Sequence, residues 1–126
     1  MKKFIETAKW YREHPRVHVL TVHRPVPPIG GMSRVISKAT LEKYYLDETT
    51  AAMRGARRQL DKAGMKYECH AQVGQIAESV VGAAKKLGCD FTYMGTRGLG
   101  AVSGLVMGST ATKVLHLTSV PVVLVR

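Results

Sequence analysis

The feature that most constrains the fold is a regular alternation of segments with helical periodicity and short apolar runs of strand length. Some segments carry apolar side chains at three- and four-residue intervals, and others are nearly continuous apolar runs or alternate apolar with polar residues. The order is helix, strand, repeated four times, over residues 2–13, 16–23, 38–63, 65–73, 75–87, 91–94, 109–117 and 120–125. This alternation predicts an α/β fold, with a mostly parallel sheet, right-handed crossovers and helices on both faces.

Two of these segments show which strands should be buried. Residues 16–23 are mostly apolar and rich in β-branched side chains, which is typical of a strand covered on both faces of a parallel sheet. Residues 65–73 alternate apolar with polar side chains, which predicts a half-buried strand nearer the sheet edge. Pro15 should end the first helix, Gly64 should follow the end of the second as a C′ glycine, and the third should end at Gly88.

Length and composition indicate the class of protein. The 126 residues, 45% hydrophobic and 22% charged, predict one globular domain spanning residues 1–126. Apolar runs stay well short of the roughly 18 residues that a membrane crossing needs. The two cysteines, Cys69 and Cys89, are too few for a disulfide framework and lack metal-ligand spacing. We therefore expect a reduced, cytoplasmic protein.

The charge balance favours anionic ligands without choosing among them. Nineteen basic residues against nine acidic ones give a net charge of +10. The basic residues are scattered through helical segments, and no basic strand interleaved with aromatic residues is visible. We interpret them as solvated helix faces, with a nucleic-acid surface as the alternative, and we expect neither nucleic acid nor a membrane as partner.

The stretch with the clearest chemistry is the glycine-bearing segment of residues 93–110, which joins a predicted strand to a predicted helix. Unpaired N–H groups and the helix dipole make a helix start attractive to phosphate. Gly95, Gly98 and Gly108 would let an anion approach the backbone, and the hydroxyl of Ser109 or Thr110 could donate a hydrogen bond. The segment is neither a Walker A loop nor a good dinucleotide fingerprint. The alternative is that these glycines only shape a long loop.

Other chemistry has little support in the sequence. No nucleophile elbow is present, and no pair of carboxylates lies near the glycine-bearing segment, so no catalytic residue is nominated. The histidines are spread along the chain, and we expect no metal site and mostly structural roles for them. They are His14, His18, His23, His70 and His116. His23 is of interest because it follows Val22 at a strand end, where it could touch a ligand.

The spacing Gly95-x2-Gly98-x9-Gly108-Ser109 resembles the nucleotide-binding signature of the universal stress protein family. Residues 73–78, 88–98 and 120–126 also resemble the corresponding family segments. The resemblance covers nearly the whole chain and is densest from residue 73 onward. It implies a Rossmann-like fold of the universal stress protein type and a stress-response regulatory role with ATP or a related adenine nucleotide, alone or with Mg²⁺, as ligand.

By position, the resemblance assigns a role to eight residues. Gly95, Arg97 and Gly98 would line the ribose and phosphates, next to Met94 as a further nucleotide-binding residue. Those contacting phosphate would be Gly108, Ser109 and Thr110. Val22 resembles the family residue that contacts adenine; the alternative is an ordinary core valine. Arg97 is either a phosphate partner or a solvent-facing arginine. The resemblance implies at most slow ATP hydrolysis, since no residue stands out as the general base.

The beginning of the chain departs from the family pattern. Family members open with a strand carrying Asp-Gly-Ser, whereas residues 1–5 here resemble the inside of the following helix. We therefore expect the family's first strand to be missing, clipped, supplied by a partner chain or replaced by a rearranged sheet. Because that strand is central in the family, its loss would leave unpaired backbone groups on its neighbours.

The end of the chain predicts self-association. Residues 120–125 form an apolar strand with Pro121 near its start, which suits an edge strand, and apolar edges invite pairing. The resemblance also implies a homodimer through this last strand. Two functions stay open: a dimeric nucleotide-binding regulator, and a dimeric interaction scaffold of the same family that binds no nucleotide.

Overall fold

The computed structural model describes residues 1–8, 11, 14–26, 37–96 and 107–126. Its elements are α1 Lys2–Ala8, β1 Val17–His23, α2 Lys38–Lys62, β2 Tyr67–Val73, α3 Ile76–Lys86, β3 Thr92–Gly95, α4 Ser109–Leu117 and β4 Val122–Val125. This order confirms the predicted α/β alternation. The first helix, predicted over residues 2–13, does not extend to Tyr11, which lies in a bend. The Tyr11 N–H donates to the carbonyl oxygen of Ala8 at 3.3 Å.

The described strands form two parallel pairs. β1 pairs with β2 from Val17↔Tyr67 to His23↔Val73, and β3 pairs with β4 from Thr92↔Val122 to Gly95↔Val125. Parallel pairing was predicted and is confirmed, although within the described residues it is distributed over two two-stranded sheets. The chain divides into two compact units, Met1–Val73 and Gly74–Arg126. A single domain over residues 1–126 stays a prediction.

In the first unit, α2 packs against one face of the β1·β2 pair. Met53 and Leu60 of α2 are 2% and 0% exposed. The contacts of α2 with the sheet go to odd-numbered strand positions: Arg57 Nε donates to Cys69 Sγ at 3.4 Å, and the Tyr67 hydroxyl donates to Asp61 Oδ1 at 2.8 Å. Since side chains alternate between the two faces of a strand, the even-numbered positions of β1 and β2 point away from α2.

The end of β2 is less covered than its sequence predicts. The alternation places Ala71 and Val73 inward, but both are exposed, Val73 at 49%. His70 and Gln72, predicted to be outward, are half-buried instead. The alternation of apolar and polar residues assigns side chains to the two faces of a strand. It does not predict which face is covered by other elements at each end of the strand.

Helix ends follow the local sequence closely. Ser37 caps α2, and its hydroxyl oxygen accepts a hydrogen bond from the Thr40 N–H at 3.2 Å. After α2 and α3 the chain turns through Gly64 and Gly88, with φ of +66° and +63°. Only glycine adopts this left-handed conformation at no steric cost, so both predicted helix ends are confirmed.

In the second unit, α3 and α4 pack on each other through small side chains. Their buried residues are Ala77, Ala83, Ala84, Ala111 and Val114. An ion pair between Lys113 Nζ and Glu78 Oε1, at 2.6 Å, joins the two helices at the surface. No helix within the described ranges is both long and apolar enough to cross a membrane.

Candidate functional site

The carboxyl end of β3 and the beginning of α4 are held side by side. The Thr96 N–H donates to the carbonyl oxygen of Val125 at 3.0 Å, which extends the β3·β4 ladder by one residue. The Gly108 N–H in turn donates to the carbonyl oxygen of Thr96 at 2.6 Å. The two ends of the segment between them therefore meet at one edge of the sheet, where parallel α/β folds bind ligands.

The start of α4 carries backbone donors without helical acceptors. Gly108 is the N-cap, with φ −77° and ψ 164°, and it offers no side-chain cap. The first hydrogen bond of the helix runs from the Thr112 N–H to the Gly108 carbonyl oxygen at 3.1 Å. The N–H groups of residues 109–111 therefore have no partner within the helix, and the dipole adds partial positive charge there. This arrangement can bind an anion.

The structure places the predicted ligand residues as follows. Met94 is half-buried in β3, Gly95 is exposed at its end, Ser109 is exposed and Thr110 is half-buried in the first turn of α4. Hydrogen bonding at Thr96 and Gly108 brings these two groups together.

Three of the eight predicted ligand residues remain. Arg97 and Gly98 lie outside the described residues. Val22 lies in β1 of the first unit, where it is half-buried and pairs with Gln72. The ligand contacts of all eight residues stay predictions.

His23, the other residue singled out at a strand end, is engaged by α2. Its Nε2 lies 2.9 Å from the Thr49 hydroxyl, and its ring centroid lies 5.9 Å from that of Tyr45. These contacts describe a structural histidine that joins β1 to α2.

Sequence reasoning missed a cluster of side chains on the β1·β2 pair. His18 Nδ1 and His70 Nε2 lie 2.9 Å apart, and His18 Nδ1 lies 3.9 Å from Glu68 Oε2. One ligand atom from each of the three residues lies within 4.8 Å of the others. The signal was present: all three are even-numbered positions of adjacent parallel strands, so they share the face away from α2.

Arg16 is hydrogen-bonded to the Glu68 carboxylate beside the two histidines. Two guanidinium nitrogens of Arg16 donate to Oε1 of Glu68, Nη2 at 2.8 Å and Nε at 3.2 Å. This hydrogen bond, with the attraction between the charges, lowers the pKa of Glu68 and raises that of Arg16. A pocket of about 470 Å³ opens beside the Arg16–Glu68 ion pair, and His14, Arg16 and Glu68 are among the residues that line it.

Neither cysteine forms a disulfide. Cys89 is half-buried before β3, and burial, followed by the nearby Asp90 carboxylate, raises the pKa of its thiol. A raised pKa leaves little thiolate at neutral pH, so Cys89 is a poor nucleophile.

Comparison with known proteins gives a consistent picture. The family model described as "Universal stress protein family" matches residues 2–126. Universal stress protein Slr1230 of a Synechocystis species is 36% identical over 88 residues, which are 69% of this chain but 31% of that protein. The chain thus spans about a third of the length of this curated relative.

Solved structures show the same fold. Universal stress protein UspA from Lactobacillus plantarum superposes with a TM-score of 0.70 at 18% identity, covering 99% of this chain and 86% of that one. A universal stress protein in complex with cAMP superposes with a TM-score of 0.63 at 19% identity, covering 99% and 82%. The family match over nearly every residue, with the parallel α/β fold beneath it, identifies this chain as a member of the universal stress protein family.

Proposed function

We propose that this chain is a stress-response regulatory protein that binds ATP or a related adenine nucleotide at the start of α4. The hydrogen bond from the Gly108 N–H to the Thr96 carbonyl oxygen carries the proposal. It sets the unpartnered N–H groups of a helix start beside the carboxyl end of a parallel strand. Phosphate oxygens accept hydrogen bonds from such groups and are attracted by the helix dipole.

Local side chains fit a phosphate group at this position. Gly95 and Gly108 leave the backbone open to close approach, because neither residue carries a Cβ. The hydroxyls of Ser109 and Thr110 add donors, and the net charge of +10 attracts an anion over longer distances. Met94, Arg97 and Gly98 are assigned to the ribose and phosphate, and Val22 to the adenine, on the family resemblance.

The comparisons support an adenine nucleotide as the ligand class. One universal stress protein of the same fold is described in complex with cAMP. That nucleotide carries an adenine, a ribose and one phosphate, which are the groups assigned to residues here. For this chain the larger ATP is the first ligand to test, and cAMP and AMP are the comparisons that would show which phosphates are required.

The test is isothermal titration calorimetry with ATP, alone and with Mg²⁺, on the parent chain and on Gly108→Val. Gly108 has φ −77°, an extended conformation that valine adopts without strain, so the substitution adds bulk at the phosphate position and not backbone strain. We expect Gly108→Val to weaken binding by about 100-fold or more, since several charge-assisted hydrogen bonds are lost.

The matched control is Gly82→Ala in α3, where an added Cβ would meet nothing within 4 Å. It should bind ATP as the parent does. Absence of binding heat from the parent chain, or equal affinity in Gly108→Val, would contradict the nucleotide proposal.

We also assign to β4 the pairing edge of a homodimer, over residues 120–125. The carbonyl oxygens of Pro121 and Val125 accept hydrogen bonds from the β3 side. Alternate residues direct their backbone groups to opposite edges, so Val122 and Leu124 present theirs to the other edge of β4. Among the described strands β4 pairs only with β3, and this open apolar edge supports the interaction scaffold as the second candidate function. A stable dimer without any nucleotide binding would favour the scaffold.

A further inference from the structure

We propose that His18, His70 and Glu68 together bind one divalent transition-metal ion of the Zn²⁺ type. None of the three residues is among the eight predicted nucleotide ligands, and all three belong to the Met1–Val73 unit. Two imidazole nitrogens and one carboxylate form a ligand set that Zn²⁺ accepts, with a fourth position open to water.

The register of the parallel pair creates the cluster. His18 is the Cα partner of Glu68, and His70 lies two residues further along β2 on the same face. Backbone hydrogen bonding of a seven-residue pair therefore holds the ligand positions, which a flexible loop could not do. The ring centroids of His18 and His70 are 5.1 Å apart at an interplanar angle of 45°, so the two rings converge without stacking.

The ligand atoms are already close to coordinating distances. Two nitrogens bound to one tetrahedral Zn²⁺, each at roughly 2.0–2.1 Å, lie about 3.3 Å apart. His18 Nδ1 and His70 Nε2 share a hydrogen bond at 2.9 Å, so the ion would take the place of the shared proton while the nitrogens move apart by a few tenths of an ångström. Glu68 Oε2 lies 3.9 Å from His18 Nδ1. Rotation of the half-exposed Glu68 side chain would bring this oxygen to an ion held by the two histidines.

The group that contacts the ligand Glu68 also suits a metal site. Arg16 holds Oε1 of Glu68 and leaves Oε2, the oxygen nearer His18, for the ion. A carboxylate oriented in this way is typical of metal ligands, which are themselves hydrogen-bonded by a second layer of groups. The His18 side chain is only 11% exposed, which favours coordination over hydration, while the Glu68 side chain is 50% exposed and keeps the cluster in contact with solvent.

The experiment uses the tag-free full chain, stripped of metal with a chelator and titrated with Zn²⁺ against a chromophoric competitor. We expect one Zn²⁺ per chain with micromolar or tighter affinity, and a Co²⁺ derivative with visible d–d absorption. Glu68→Gln and His70→Gln should each weaken Zn²⁺ binding by about tenfold or more, because each removes one of three ligands. His116→Gln, on an exposed position of α4, is the matched control and should bind as the parent does.

A second measurement needs no substitution. Carbethoxylation of histidines, mapped by mass spectrometry, should be slowed by Zn²⁺ at His70 and unchanged at His116. A parent chain that binds no Zn²⁺ at about 100 µM, a concentration far above a micromolar dissociation constant, would overturn the proposal. Binding that survives in both Glu68→Gln and His70→Gln would also overturn it, as would equal protection of His70 and His116.

Discussion

The two compact units are built on the same plan and carry different chemistry. In Met1–Val73 the parallel pair has seven residues per strand, and its distinctive groups are side chains: His18, His70 and Glu68 on one sheet face. In Gly74–Arg126 the pair has four residues per strand, and its distinctive groups are the backbone N–H donors of residues 109–111 at the start of α4. We propose the side chains of the first unit as metal ligands and the backbone donors of the second as a phosphate site.

The difference follows from where each unit places its polar groups. Long strands put side chains two residues apart in a fixed register, so a histidine and a carboxylate far apart in sequence can meet. A short strand that ends at glycine and leads to an uncapped helix offers its own peptide groups instead. Four measurements test this difference between the two units, and the largest effect is expected in the core beneath the first sheet.

The first prediction asks whether the two units unfold together. Leu60 is 0% exposed on the buried face of α2, so Leu60→Ala should lower the free energy of unfolding by about 2–5 kcal/mol through lost burial and a cavity. Leu46 on the same helix is 65% exposed, and Leu46→Ala should stay within about 0.5 kcal/mol of the parent.

Urea denaturation followed by circular dichroism measures both effects. As expected for a single domain, Leu60→Ala should shift one transition without splitting it. Two separate transitions, or loss of amide protection confined to Met1–Val73, would show that the units unfold independently.

The second prediction concerns the open edge of β4. Leu124→Pro removes an N–H that faces away from β3, so a dimer paired through this edge loses one ladder hydrogen bond from each chain. At roughly 1 kcal/mol per bond, the dimer dissociation constant should rise about 10- to 100-fold. Sedimentation equilibrium measures this constant. Leu124→Val keeps the N–H and should remain dimeric, and an unchanged constant in Leu124→Pro would assign the dimer to another surface.

The third prediction compares glycines within and after the helices of both units. Gly64 and Gly88 have positive φ, so alanine at either position should lower the free energy of unfolding by about 1–2 kcal/mol. Gly55 and Gly82 lie inside α2 and α3 with open space around an added Cβ, and alanine there should stabilise by roughly 0.5–1 kcal/mol. Thermal denaturation of the four variants gives the comparison. The same sign at all four positions would contradict the backbone assignment.

The fourth prediction is the smallest effect and concerns acid. The hydrogen bond from Lys113 lowers the pKa of Glu78, as that from Arg16 lowers the pKa of Glu68. A carboxyl whose folded pKa lies below its unfolded value stabilises the fold above the unfolded pKa, and this contribution is lost as the pH falls through the folded pKa.

The thermal midpoint of the parent chain should therefore fall between pH 6 and pH 3, and Glu68→Gln or Glu78→Gln should each reduce the difference slightly. Glu48, which has no ion pair within the described part of the chain, is the control: Glu48→Gln should leave the difference as it is in the parent. A Glu78→Gln profile that follows the parent at every pH would show that this surface pair contributes nothing measurable.

The sequence alone determined the α/β alternation, the parallel pairing, the helix ends at Gly64 and Gly88, and the family. These follow from local periodicity and the order of the elements, from backbone preferences, and from a glycine spacing that resembles one family. Tertiary structure decided what long-range register controls. The meeting of His18 with His70 depends on which residue of β1 faces which residue of β2, and a shift by one residue would have turned one of them to the opposite face. Tertiary structure also decided that Thr96 and Gly108 meet. The hydrogen bond between them joins the end of β3 to the start of α4, and local periodicity does not predict it.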